Sequence, residues 1–495
     1  MRRRLASTAG AALFGAGVLT GQANTPGNAP DGLGARVTRG RIARGVGSRT
    51  FALLFVLGAL ATWTNAAQAD IGFSKDGVTD GLGYKTDVVN LQFYGILDIG
   101  YGSLTHSYPG NSNFASTVNP YNLNSSPKSF NGFYNGGISM NRVGLQGDKD
   151  LGPDFFGVDV FFKLESAINP IYGTVSNNGR AIIDNIHGLT SANGASAIDG
   201  QWFSRAAYAG LSKADYGSLE FGRTTNFSYD QVVQYDPVQN ALLFSPLGFS
   251  GGIGGGLGAT ENTRYDNSIK YENRLYNVDF GFQYRFATSS TDQEAESGYV
   301  AMLGYAYGPF SVKGTYSKTF NTVAYATQYS NVVAPDSNLQ IENTSGFMIS
   351  GKYDINADAA VKVGYENTNV TSPSNLNLMG IVKYYGMTLP NHAVNATGKQ
   401  TFGTFWIGGD YKIIKSLDVA VGYYNVDTYN TPEVGKEYRA NIYSLLIDYT
   451  TPWKGIDTYV GAMFLTYDGP GLTHHAPSDA NSYNAMYGAG VRLKF

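Results

Sequence analysis

Tyr487-Gly488-Ala489-Gly490-Val491-Arg492-Leu493-Lys494-Phe495 is the stretch on which the fold turns. Successive side chains of a β-strand point to opposite faces. Tyr487, Ala489, Val491, Leu493 and Phe495 therefore form one apolar face, and Gly488, Gly490, Arg492 and Lys494 a small or basic one. A soluble sheet would lay the apolar face on a core. A membrane barrel would turn it to lipid and give the other face to a water-filled lumen.

The same alternation recurs upstream. Val89, Leu91, Phe93, Gly95, Leu97 and Ile99 share one register, and Asn90, Gln92, Tyr94 and Asp98 the other. About ten such residues suffice for a tilted strand to cross a bilayer. Similar segments fall at 138–147, 155–167, 202–211, 215–224, 264–272, 277–287, 298–307, 309–318, 345–354, 358–368, 402–411, 415–425, 439–449, 456–467 and 485–495. That makes roughly sixteen strands, an even number, as in bacterial single-chain barrels. Charges keep to one register: Lys163 and Glu165 oppose Phe162 and Leu164, and Lys362 and Glu366 oppose Val361, Val363 and Tyr365.

The connections alternate in length. Long ones lie near 105–136, 168–201, 225–263, 288–297, 319–344, 369–401, 426–438 and 468–484, and those between them, such as 212–214, 273–276, 308 and 355–357, are short. Outer-membrane barrels pair short periplasmic turns with longer extracellular loops, which here puts both termini in the periplasm. A compact soluble domain has little use for so many long structureless loops.

Composition agrees. Charged residues are 15% of the chain, with 63 Gly and 36 Tyr, against about 25% charged in ordinary soluble domains. The absence of Cys excludes a disulfide scaffold and a thiolate metal site. The first 69 residues hold eight arginines and one acid, leaving 27 basic and 37 acidic residues from Asp70 onward. Arg49, the apolar run after it and Ala67-Gln68-Ala69 read as a secretory leader over 46–69, cleaved before Asp70. Residues 1–45 are expected to be an unstructured extension upstream of the true start, 70–87 a flexible segment, and 88–495 the barrel.

Several short segments, in order, carry a family resemblance. They are Leu91-Gln-Phe-Tyr-Gly-Ile-Leu-Asp98, Asn141-Arg-Val-Gly-Leu-Gln-Gly147, Phe162-Lys-Leu-Glu-Ser166, Ser204-Arg-Ala-Ala-Tyr-Ala-Gly-Leu-Ser212, Gly217-Ser-Leu-Glu-Phe-Gly-Arg223 and Asn267-Ser-Ile-Lys-Tyr271, with Phe495 at the end. Together they resemble the trimeric general porins of Gram-negative outer membranes, particularly the β-proteobacterial type. The resemblance implies an all-β, transmembrane antiparallel barrel of sixteen strands, a homotrimer, and a third long loop folded into the lumen. It implies passive diffusion of small hydrophilic solutes and ions, with no reaction, no cofactor and no nucleic-acid partner.

Carried over residue by residue, the resemblance puts Arg142, Arg205, Arg223 and Arg264 on a basic wall, and Lys163 and Lys270 share polar registers that extend it. Alternation turns Arg142, Arg205 and Arg264 inward, because Val143, Tyr208 and Tyr265 occupy the opposite register. Arg223 shares its register with the apolar Leu219 and Phe221, which leaves its facing open. The inserted loop is expected over 224–263, with Asp230, Asp236 and Glu261 as the acids facing the wall and Asp236 the preferred one. Tyr487, Val491, Leu493 and Phe495 are implied as the signal read by the outer-membrane assembly machinery. The chain departs from the family in its Gly251–258 run, which replaces an acidic loop segment. Gly251–258 lacks the strand–helix context of a phosphate-binding loop, and His474-His475 lacks the further ligands of a metal site. Two other readings stay open: a substrate-selective channel, and a barrel that merely anchors an enzyme or adhesin.

Overall fold

A computed structural model describes residues 71–73, 82–85, 89–105, 129–171, 173–175, 202–247, 264–287, 294, 297–325, 339–372, 383–384, 387–388, 399–429, 439–468 and 483–495. The expected leader, the upstream extension, Glu261, Gly251–258 and His474-His475 lie outside these residues.

The strands are β1 (Ile71–Phe73), β2 (Leu82–Lys85), β3 (Asn90–Leu104), β4 (Phe130–Asn135), β5 (Arg142–Asp150), β6 (Asp159–Asn169), β7 (Thr174–Val175), β8 (Ala206–Lys213) and β9 (Gly217–Thr225). One α-helix, α1 (Phe227–Tyr235), follows. Then come β10 (Arg264–Leu275), β11 (Val278–Arg285), β12 (Gly298–Tyr307), β13 (Phe310–Tyr325), β14 (Leu339–Asn356), β15 (Ala359–Thr371), β16 (Lys383–Tyr384) and β17 (Met387–Thr388). The last are β18 (Lys399–Ile414), β19 (Leu417–Tyr429), β20 (Arg439–Thr450), β21 (Ile456–Asp468) and β22 (Tyr483–Lys494).

Each long strand pairs antiparallel with its sequence neighbour, and β22 pairs back onto β3, with Met486 opposite Leu104 and Lys494 opposite Ile96. β4 and β5 both pair with β3 and form the two halves of one interrupted strand. Counted so, sixteen strands close the barrel. Closure leaves no backbone edge facing lipid, the condition for a sheet to span a bilayer. Among the described residues no helix is long and apolar enough to cross a membrane.

Residues 70–87, expected to be flexible, instead contain β1 and β2. β2 pairs with the start of β3, Leu82 opposite Phe93 and Lys85 opposite Asn90. The terminal strand therefore does not take the whole of β3. Its pairing ends near Gly95, where Phe495 exchanges backbone hydrogen bonds with Gly95 at 2.7 and 3.0 Å. The Phe495 ring covers Gly95, where a Cβ would meet it, and lies 6.2 Å from the Phe93 ring.

The outer face is apolar as expected. Tyr487, Val491, Leu493, Tyr443, Leu445, Phe347, Ile349 and Leu303 are all exposed. The inner face is not uniformly polar. On β18–β22 it carries Trp406, Ala420, Tyr424, Val426, Ile442, Tyr459, Met463, Leu465 and Met486, all buried. They pack with Val232, Val238, Ala241, Leu243, Phe244 and Leu247 from the segment after β9. The barrel thus holds an apolar core inside it, between one half of its wall and its third long loop.

Candidate functional site

The loop that makes this core begins at Asn226, whose side chain accepts from the Tyr229 backbone N–H at 2.8 Å. That N-cap satisfies one of the free donors of the first turn and starts α1. The helix went unforeseen in the sequence, because a nine-residue helix inside a loop has too little periodicity to register. Its buried residues are Phe227, Ser228, Gln231, Val232 and Tyr235. Gln231 donates to the Lys313 carbonyl and the Ser350 hydroxyl, both at 2.9 Å. The Trp406 indole donates to the Tyr235 carbonyl at 3.1 Å, and Lys362 Nζ to that of Asp236 at 3.1 Å. Beyond the helix, Leu243 N–H bonds the Gly137 carbonyl at 2.8 Å. The Phe244 ring meets Tyr134 and Tyr459 edge-on, at 6.5 and 6.3 Å.

Asp236 belongs to this anchorage and not to the lumen, which corrects the expectation that it faces the arginines. It is fully buried. Its carboxylate accepts from the Tyr424 hydroxyl and from the Asn240 N–H at 2.6 Å. Burial pushes its carboxyl above the usual range, and the hydrogen bonds from Tyr424, Ser245 and Asn240 oppose that rise. Asp230, in contrast, faces the basic wall as expected, through its lysine rather than an arginine. It pairs with Lys270 of the wall at 2.7 Å, while Lys270 sits over the Phe227 ring.

The basic residues gather on one arc, β5 to β10. Their shared counter-charge comes from the wall itself. Glu165 of β6 is buried and accepts from Arg205 Nε at 2.5 Å and from the Tyr94 hydroxyl at 2.7 Å. Arg142 and Lys163 lie 3.7 and 3.8 Å from it. Arg264 donates to the Arg205 carbonyl at 2.7 Å and spreads over the Tyr229 ring, 5.5 Å from its centroid. Among the described residues, three cations thus lie within 4 Å of one carboxylate, with Arg264 beside Arg205. In a site partly shielded from water this excess acts more strongly than it would in bulk solvent.

Alternation places some of these residues for the wrong reason. Arg205 precedes β8 and turns inward from a bend, while Tyr208, expected outside, shares the inner register with Ala206. Tyr265, also expected outside, is fully buried. A bulge between Tyr265 and Ser268 breaks the register there, and bulges re-aim side chains in this way. Arg223 follows Gly222, whose φ of 127° kinks β9 within its run, and it is buried, bonded to the Ser204 carbonyl at 2.8 Å and to Asp266 at 2.6 Å.

Sequence reasoning missed two further groups. Asp98 on β3 is fully buried, accepting from Ile138 and Ser139 N–H groups at 2.9 and 2.7 Å and from the Tyr459 hydroxyl at 2.6 Å. It fixes the break between β4 and β5. On β22, directly opposite Asp98, Arg492 bridges Asp448 and Asp457, each at 2.8 Å, and Lys494 meets Asp457 at 2.7 Å. That placement matches the inward register expected of Arg492 and Lys494.

Residues 54–470 match the family model described as Gram-negative porin. Over 244 residues the chain is 31% identical to an outer membrane porin protein of Bordetella pertussis, covering 46% of this chain and 54% of that protein. Outer membrane porin F of Salmonella typhimurium is 25% identical over 289 residues, 53% of this chain and 72% of that one. The chain therefore spans about half the length of the Bordetella relative. An anion-selective porin from Comamonas acidovorans superposes with a TM-score of 0.56 at 17% identity, over 82% of this chain and 100% of that one. OmpT of Vibrio cholerae gives 0.52 at 15%, over 83% and 99%. At such identities these structures share the fold.

Proposed function

The chain belongs to the Gram-negative porin family, and from that premise we propose that it forms a water-filled outer-membrane channel for passive diffusion of small hydrophilic solutes, anions ahead of cations. The observation that carries the anion preference is the cluster of Arg142, Lys163 and Arg205, all within 4 Å of the one carboxylate Glu165 among the described residues. A pore selects by its width and by the field along its wall. The described loop carboxylates do not balance that field, since Asp236 is buried in the anchorage and Asp230 is paired with Lys270. Guanidinium groups stay charged across the physiological range, so the wall does not titrate away.

The working unit in this reading is a homotrimer in outer-membrane lipid. Residues 46–69 serve as its signal peptide, both termini are periplasmic, and Tyr487, Val491, Leu493 and Phe495 are the residues the assembly machinery reads. Reconstitution of the purified protein into planar bilayers tests the channel itself. Stepwise, ohmic conductance increments support it. A correctly folded protein that leaves the membrane silent supports instead a barrel serving only as an anchor.

A further inference from the structure

Arginines and rings share the arc that lines the opening, and this combination goes beyond what a simple anion filter needs. Lys163 of β6 and Tyr208 of β8 are direct cross-strand partners. The Tyr208 ring meets that of Phe161 edge-on, with centroids 6.3 Å apart and ring planes at 83°. Both rings are half-buried and lie on the inner register. The Lys163 side chain is 32% exposed and that of Arg142 18%. The carboxylate nearest to both, Glu165, is already bonded to Arg205 and Tyr94, so the two cations keep donors for a passing solute. On α1, Tyr229 is half-buried under Arg264, with its hydroxyl accepting from Asn240 at 3.2 Å.

We propose that the Arg142–Lys163–Tyr208 wall binds monocyclic aromatic carboxylates in transit. This deepens the channel reading and rests on it. The carboxylate takes hydrogen bonds from Lys163 and Arg142 while the ring packs against Tyr208 and Phe161. Aromatic rings prefer offset or edge-to-face partners, and the Tyr208–Phe161 pair offers both a face and an edge within reach of the cations. A small inorganic anion uses the cations alone and gains nothing from the rings. An aliphatic carboxylate of the same size and charge gains only contact area.

The test compares benzoate with cyclohexanecarboxylate as the current-carrying or blocking anion, on the full protein in planar bilayers, after its chloride-to-potassium selectivity has been measured in the same membranes. Benzoate is expected to interrupt the chloride current at about threefold lower concentration than cyclohexanecarboxylate, the size of effect one aromatic pair supplies. Tyr208→Leu is expected to erase that ratio, and Tyr208→Phe, which keeps the ring, to preserve it. An anion-selective channel that treats the two probes alike overturns the proposal alone. So does a Tyr208→Leu channel that keeps the ratio. A cation-selective channel overturns the anion reading beneath it, and the proposal with it.

Discussion

Arg205 donates its Nε–H to Glu165 at 2.5 Å, and both residues stand on the same inner wall of the barrel. The carboxylate that organises the basic cluster is therefore part of the wall, and not of the loop facing it. Glu165 also holds Tyr94 at 2.7 Å and lies within 4 Å of Arg142 and Lys163.

Glu165→Gln tests this arrangement. Removing one negative charge about 7 Å from a solvated permeation path changes each ion's energy by roughly 0.6 kcal/mol, in opposite directions for chloride and potassium, or about sevenfold in their permeability ratio. The chloride-to-potassium ratio should rise by that amount. The variant should also unfold at lower temperature, because breaking a buried ion pair from one side costs on the order of 3–5 kcal/mol. An unchanged ratio would place the cluster away from the path.

Replacing Arg142 and Arg205 together by Ser works in the opposite direction. Two fixed positive charges leave the arc, and the reversal potential under a potassium chloride gradient should move toward that of potassium. No shift would mean that neither side chain senses the passing ion.

Loop anchorage gives a separate prediction. Phe244 is fully buried between Tyr134 and Tyr459, above Gly461. Phe244→Ala should cost about 3–5 kcal/mol of packing and release the loop from the apolar half of the wall. Single-channel records should then show a larger and noisier open current. A quiet channel of unchanged conductance would show that the loop is held without Phe244.

At the seam, Gly95→Val places a branched side chain where the Phe495 ring lies. Less heat-resistant oligomer in membranes is the expected result, seen as early dissociation on unheated gels. Loss of Phe495 should act at the same step. Normal membrane levels and heat resistance for both variants would remove the seam from any part in assembly.

The barrel was legible in the sequence because period-two alternation and the alternating loop lengths are local signals repeated around the sheet. Lys163 and Glu165 could be placed inside from that period alone. What stayed hidden depends on breaks in it. The bulge after Tyr265, the positive-φ kink at Gly222 and the bend before Ala206 each re-aim an arginine or a tyrosine. Asp236 was misplaced for a different reason: its burial comes from partners as distant in sequence as Tyr424. A signal for the apolar lining did exist. Around 440–447 and 459–465 both registers are rich in apolar residues, which a strand with water on one face does not need.

The most direct test of the account is the reversal potential of the reconstituted channel under a potassium chloride gradient. The cluster around Glu165 requires a sign that favours chloride. A potential favouring potassium would contradict it, and would mean that the ion's path is governed by charges other than Arg142, Lys163, Arg205 and Arg264.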